Sequence, residues 1–164
     1  MAGVQIRVDF EEAEALAAID RIEGGAQETL PLMDAIGVVL VDGTIRRFQA
    51  GIGPDGVPWK PSFRAQLSGG QTLIDSTRLL SSITHQAEPR EVRVGTNVPY
   101  ALIHQLGGEI RPVNAQALRF QLADGTFVTV GKVTIPARPF LGIDQEDREE
   151  IEDQVRLFIE DIVQ

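Results

Sequence analysis

Apolar and polar positions along the chain fall into helix-like and strand-like patterns that divide it into segments. Phe10, Ala13 and Ala17 make a small apolar stripe with Leu16 and Ile19 beside it. Asp9 is placed to cap this segment, and Glu11 and Glu12 sit where the helix dipole favours negative charge. A helix is predicted over 10–22, ended by Gly24-Gly25. In the next segment Val41, Ile45, Phe48 and Ile52 recur at helical spacing. A long helix beginning near Pro31 accommodates them if it tolerates Gly37 and Gly43, at about 1 kcal/mol each. The competing arrangement over 28–51 is a hairpin turning at Asp42-Gly43.

Residues 51–73 read as a long loop. They contain Pro54-Asp55-Gly56, Pro58-Trp59-Lys60-Pro61 and Gly69-Gly70, all turn signals. A structureless run above about 15 residues is uncommon in a compact domain and tends to be functional. A short helix is expected over 73–80. Ile83, His85 and Ala87, then Val92 and Val94, alternate with polar residues around Glu88-Pro89-Arg90, as an antiparallel hairpin does. Tyr100 to Leu106 gives about two helical turns closed by Gly107-Gly108. Strands are expected over 109–113, 118–122 and 127–135, the last two joined across Ala123-Asp124-Gly125-Thr126. Finally, Asp144 can cap a helix in which Ile151, Val155, Phe158 and Ile162 form one stripe. This order predicts a single α+β domain spanning 1–164, with N-terminal helices, an antiparallel sheet carrying a short inserted helix, and a C-terminal amphipathic helix.

Composition narrows the function. The 164 residues contain no cysteine, so disulfides, thiolate metal sites and a cysteine nucleophile are excluded. No apolar run is long enough to span a bilayer, and the first residues lack the pattern of a signal peptide. A soluble protein made in the cytosol, without membrane contact, is expected. The formal net charge of −9 opposes the phosphate neutralisation on which nucleic-acid binding rests. Arg46, Arg47 and Arg64 are the nearest thing to a basic patch and read as exposed arginines on a helix and a loop.

A search for catalytic chemistry is brief. His85 and His104 lie on different predicted elements, outside any paired metal-binding motif. There is no GxSxG and no P-loop, and Gly51-Ile52-Gly53 runs into Pro54, which removes an N–H that a phosphate cradle needs. The acidic pairs Glu11-Glu12, Glu146-Asp147 and Glu149-Glu150 read as solvated helix faces. No catalytic, metal-binding or cofactor-binding residue is assigned, and no cofactor is expected.

Three other segments draw notice: PDGVPWKP at 54–61, VPYALIHQLGG at 98–108 and IPARPFLGI at 135–143. Prolines on either side of Arg138 pre-order the last of these, so docking it would cost less conformational entropy. Phe140 and Leu141 serve equally well as a staple holding the final helix to the core, with Trp59 as its cover.

In order and spacing, these pieces resemble the phage virion morphogenesis family, which includes tail completion proteins of Mu-like and contractile-tailed bacteriophages. The residues that carry the resemblance are Asp55 to Trp59, Leu79, Leu80 and Ser82, Val94 to Thr96, Tyr100 to Gly108, and Ile135 to Gly142. It covers the chain from about residue 45 to the end. The resemblance implies a structural, non-enzymatic role in virion assembly, completing the tail or joining tail to head at the neck. It implies as partners the tail tube or terminator and the head connector. The protein would be found in the host bacterial cytoplasm during assembly and then in the virion.

A compact chain of this length has a radius of gyration of about 15 Å, too small to encircle a duplex, so such a role calls for a homo-oligomeric ring. A negative lumen would let DNA pass without sequence-specific binding. Trp59, Tyr100, His104, Gln105, Arg138, Phe140 and Leu141 are the candidate assembly-interface residues. The alternatives are a small acidic regulatory binding module and a hydrolase using His104 with an acid.

Overall fold

The computed structural model describes residues 3–9, 29–122 and 124–162. A three-stranded antiparallel sheet is built from β1 (Val4–Asp9), β2 (Thr84–Glu88) and β3 (Glu91–Thr96) in the order β1-β3-β2. Two registers define it: Val4 faces Thr96 and Val8 faces Val92 across one ladder, and His85 faces Val94 across the other. Strand alternation sends Val92 and Val94 into the core and leaves Gln5, Arg7, Gln86 and Glu88 on the far face. Gly95 is required here, since a Cβ would lie 2.4 Å from the carbonyl oxygen of Val4.

The longest helix among the described residues, α1 (Leu30–Ala50), lies on this sheet and also packs against the C-terminal helix α4 (Gln145–Ile162). The hairpin alternative at Asp42-Gly43 is thereby excluded. Pro31 is accepted in the first turn, and Gly51 ends the helix at φ 71° with its N–H bonded to the Arg47 carbonyl. The buried stripe is Leu32, Met33, Ile36, Leu40, Thr44, Arg47 and Phe48, rotated from the one expected: Val41, Ile45 and Ile52 are only half-buried. The rotation follows from α1 having two neighbours, because the face between them must serve both the sheet and α4.

Short elements complete the chain: α2 (Phe63–Ser68), α3 (Ala101–Leu106), β4 (Gly108–Ile110), β5 (Leu118–Gln121), β6 (Phe127–Val130) and β7 (Val133–Ile135). β4 pairs with β7, and β5 with β6, as separate two-stranded ribbons. The expected 127–135 strand is thus divided between two ribbons. The β5–β6 turn forms at Asp124-Gly125, where Gly125 has φ 87° and the Asp124 carboxylate accepts from the Thr126 N–H at 2.9 Å.

Three expectations are corrected. Residues 51–73 are not without structure. Gly53 and Val57 close a tight turn, Ile52 bridges Pro58, and Ser62 caps α2 through the Ala65 N–H. The helix expected over 73–80 is absent: Leu73 and Thr77 adopt left-handed backbone, and the Ile74 carbonyl is taken by Arg64 at 2.7 Å, leaving only a 3-10 turn at Leu80–Ser82. A strand, β1, stands at the start of the chain where none was expected. The helix predicted over 10–22 lies outside the described residues.

Candidate functional site

The three proline- and glycine-rich segments meet at one place, over the C-terminal end of α1. Phe48 is the centre of the contact. Trp59 packs edge-on against it with ring centroids 5.5 Å apart, and Phe140 tilts against its other side at 5.2 Å. The Trp59 indole N–H donates to the Pro139 carbonyl at 2.8 Å, tying the first segment to the third. Arg138 Nε donates to the Lys60 carbonyl at 2.7 Å, a second tie between the same two segments.

Gln105 joins the second segment to the third. Its side-chain oxygen accepts from the backbone N–H groups of Phe140 and Leu141 at 3.0 and 3.1 Å, and its amide nitrogen donates to the Leu141 carbonyl at 2.9 Å. One side chain thus does what a neighbouring strand would do for a proline-interrupted segment. The Arg138 N–H donates to the His104 carbonyl at 2.7 Å, extending the same seam. Gly107 is held at φ 72° where a Cβ would meet the Ala137 nitrogen at 2.7 Å. Gly142 likewise leaves room for Pro54, 2.5 Å from where its Cβ would stand.

Beneath this seam lies Arg47, 2% exposed. Its Nη1 is 2.6 Å from both Asp144 Oδ2 and Asp147 Oδ2, its Nε donates to the Phe140 carbonyl, and its Nη2 donates to the Gly142 carbonyl and to Thr44 Oγ1. Asp144 and Asp147 exchange backbone N–H bonds at 2.9 and 3.1 Å, a reciprocal cap on α4. Burial alone would raise the Asp144 pKa. The Asp147 N–H and the Arg47 guanidinium outweigh that and hold it below the ordinary carboxylate value. Two sequence readings fall here. Arg47 is not an exposed arginine, and Asp147, fully buried, is not on a solvated helix face. Arg46 stays half-exposed among Glu146, Asp147 and Glu150, so these arginines form no open basic patch.

Of the candidate interface residues, Trp59, Arg138, Phe140 and Leu141 are buried, and Gln105 is half-buried and spent on the seam. They build the junction and offer little surface of their own. Tyr100 is 40% exposed and stacks edge-on with His104 at 6.0 Å. His104 is half-buried, its Nδ1 lacks a hydrogen-bond partner, and burial together with the nearby Arg138 charge lowers its pKa. His85 sits apart against Asp34 at 2.8 Å. Among the described residues no group of acidic and histidine side chains is placed to hold a metal ion, and no helix is long and apolar enough to cross a membrane.

The motif residues therefore share one structural task, which makes their co-occurrence in order informative. Comparison with known proteins bears on the same point: residues 10–160 match the profile of the phage virion morphogenesis family. The chain belongs to the phage virion morphogenesis family. It is also 31% identical over 159 residues to the Mu-like prophage FluMu G protein 2 of Haemophilus influenzae, covering 94% of this chain and 99% of that protein. No solved structure matches. Its role is in phage virion assembly. In this family member the Val94-Gly95-Thr96 motif admits β1 through Gly95. Thr96 Oγ1 accepts from the Val98 N–H at 3.1 Å and meets Ser82 Oγ at 2.6 Å, linking two further motif positions.

Sequence reasoning missed Arg47 and the acids that hold it. Its one local signal was an arginine directly beside the apolar Phe48 on a helix whose other end was apolar.

Proposed function

We propose that this protein is a structural, non-enzymatic component that completes the phage tail or joins tail to head, working as a ring of subunits. The observation that carries the reading is the apolar surface left outside a well-knit core. On α3, Leu102 and Leu106 are one turn apart and 48% and 69% exposed. Among the described residues the β5–β6 ribbon pairs with no other strand, and it carries Phe120 and Phe127, 38% and 59% exposed. A two-stranded ribbon is marginally stable alone in water. Fully burying an exposed leucine contributes about 1.5–3 kcal/mol, and covering these partly exposed ones contributes a share of that, so a neighbouring subunit stabilises both features.

Interfaces of this kind, between different patches on successive copies, close into rings when the rotation permits. The net charge of −9 suits a lumen through which DNA slides, and it argues against sequence-specific DNA binding. On this reading the tail tube or terminator and the head connector are the neighbours, and the protein passes from the host cytoplasm into the tail end or neck.

Electron microscopy of particles from an induced lysogen with this reading frame interrupted tests the proposal. Filled heads beside separate tails, rescued by supplying the protein, establish joining or completion. Tails of abnormal length place the role at the tail end. Complete, infectious virions overturn the assembly role proposed here and favour a small acidic binding module.

A further inference from the structure

Beside the junction, between the loop at 62–79 and α3, lies a pocket of about 260 Å³ lined by Arg64, Arg78, Arg138, His104, Tyr100 and Asp75, among others. The basic groups outnumber the single acid. Arg64 is already engaged by the Gln71 and Ile74 carbonyls and lies 3.6 Å from Asp75. Arg78 is different: its side chain lies exposed and makes no ion pair with any described residue. Arg138 is 95% withdrawn from solvent, and its Nε and Nη2 are directed at the Lys60 and Pro61 carbonyls, leaving Nη1 without a partner among the described residues. Beside it, the buried Nδ1 of His104 is also unpartnered.

A withdrawn guanidinium with unused donor capacity, facing a small pocket, is arranged for a planar anion such as a carboxylate. Leu73 and Thr77, the two non-glycine residues with left-handed backbone among the described residues, belong to its wall. Burial lowers the Arg138 pKa, and burial and Arg138 lower that of His104. A bound anion would relieve the electrostatic strain on both.

We propose that this pocket receives a carboxylate from a second copy of the chain, supplied by the outer face of α4. That inference rests on the ring reading given above. The stripe Asp153, Leu157, Glu160 and Asp161 occupies one face of α4 at helical spacing. Leu157 is 55% exposed, and Glu160 and Asp161 are exposed with no ion-pair partner among the described residues. Leu157, followed by the unpaired acids Glu160 and Asp161 and preceded by an Asp153 already paired with Arg156, matches a pocket whose rim carries Tyr100 and whose cations Arg78 and Arg138 have no carboxylate partner among the described residues. A DNA phosphate is the poorer occupant. The pocket accepts one group rather than a backbone, and the chain's net charge of −9 repels a polyanion.

Charge reversal with rescue tests this on the full chain. Sedimentation velocity at low and high salt is run on the native protein, on Arg78→Glu, on Glu160→Lys/Asp161→Lys, and on an equimolar mixture of the two variants. Arg78 is exposed and outside the junction, so its reversal leaves the fold intact, as thermal melting verifies. Self-association of the native protein that weakens at least tenfold in each variant, returns in the mixture and falls with salt supports the proposal. Self-association unaffected by either reversal, or lost without rescue in the mixture, overturns this pairing while leaving the ring intact. A native protein that stays monomeric at the highest soluble concentration also overturns it, and the lysogen experiment then judges the assembly role separately.

Discussion

Arg47 and Asp147 form an ion pair 2.6 Å long in which the two residues are 2% and 0% exposed. Removing one member of such a pair strands the other in a low-dielectric interior, at a cost of about 3–5 kcal/mol. Arg47→Ala should therefore unfold at markedly lower urea, whereas Arg47→Met with Asp147→Leu should lose much less. Urea midpoints for the single and double variants decide this. Equal losses would mean that the cost lies in Arg47's bonds to Asp144 and to the Phe140 and Gly142 carbonyls, not in a stranded Asp147.

Gly43 and Gly37 on α1 should respond unequally to alanine, although alanine is the better helix former by about 1 kcal/mol. A Cβ at Gly43 would meet Asp147 Oδ1 at 1.8 Å, and Asp147 is pinned by Arg47 and by the Asp144 N–H. At Gly37 the obstacle is the His85 ring, with Cδ2 and Cγ at 2.3 and 2.5 Å, held by one hydrogen bond to an exposed Asp34 where Asp147 is held by several. Gly43→Ala should lose about 1–3 kcal/mol as overpacking does, with Gly37→Ala losing less, in thermal melts.

Gln105→Leu would leave the Phe140 and Leu141 N–H groups unsatisfied, at about 1–3 kcal/mol for each such buried group. Gln105→Glu keeps the acceptor but sets a carboxylate oxygen against the Leu141 carbonyl, and should fall between leucine and native. Fluorescence of Trp59, the only tryptophan, reports the loosening through its bond to Pro139.

Stability should fall on acidification through the Asp144 pair. Its folded pKa is depressed, so its contribution is complete above the unfolded value of about 3.9 and is lost as pH falls through the folded one. Asp144→Asn should be less stable at neutral pH and show a shallower loss in acid. Melting temperatures from pH 2 to 6 test both statements.

His104 acts in a higher pH window. Its folded pKa is also depressed, here because burial and Arg138 disfavour the imidazolium, so unfolding takes up a proton. The protein should be most stable above about pH 6.5 in respect of this group and lose stability as pH falls below that value. His104→Gln should flatten the melting-temperature profile between pH 5 and 7.

How much of this was legible follows from how far each interaction reaches along the chain. The C-terminal helix, with its Asp144 cap and with Ile151 buried, and the β2–β3 and β5–β6 hairpins rest on periodicity and turn residues within a few positions. Those elements, the α+β class and the family are legible in local residue order. The same alternation, at Val4, Ile6 and Val8, marks β1. That Trp59 and Phe140 share Phe48, that Ile74 yields its carbonyl to Arg64 instead of a helix, and that Arg47 is internal emerge only from long-range packing. Whether an arginine is exposed or buried depends on where its counter-charge lies, and the Asp147 carboxylate is 100 positions away along the chain. Local pattern carries no information over that distance, because the partners meet only after α1 and α4 have packed.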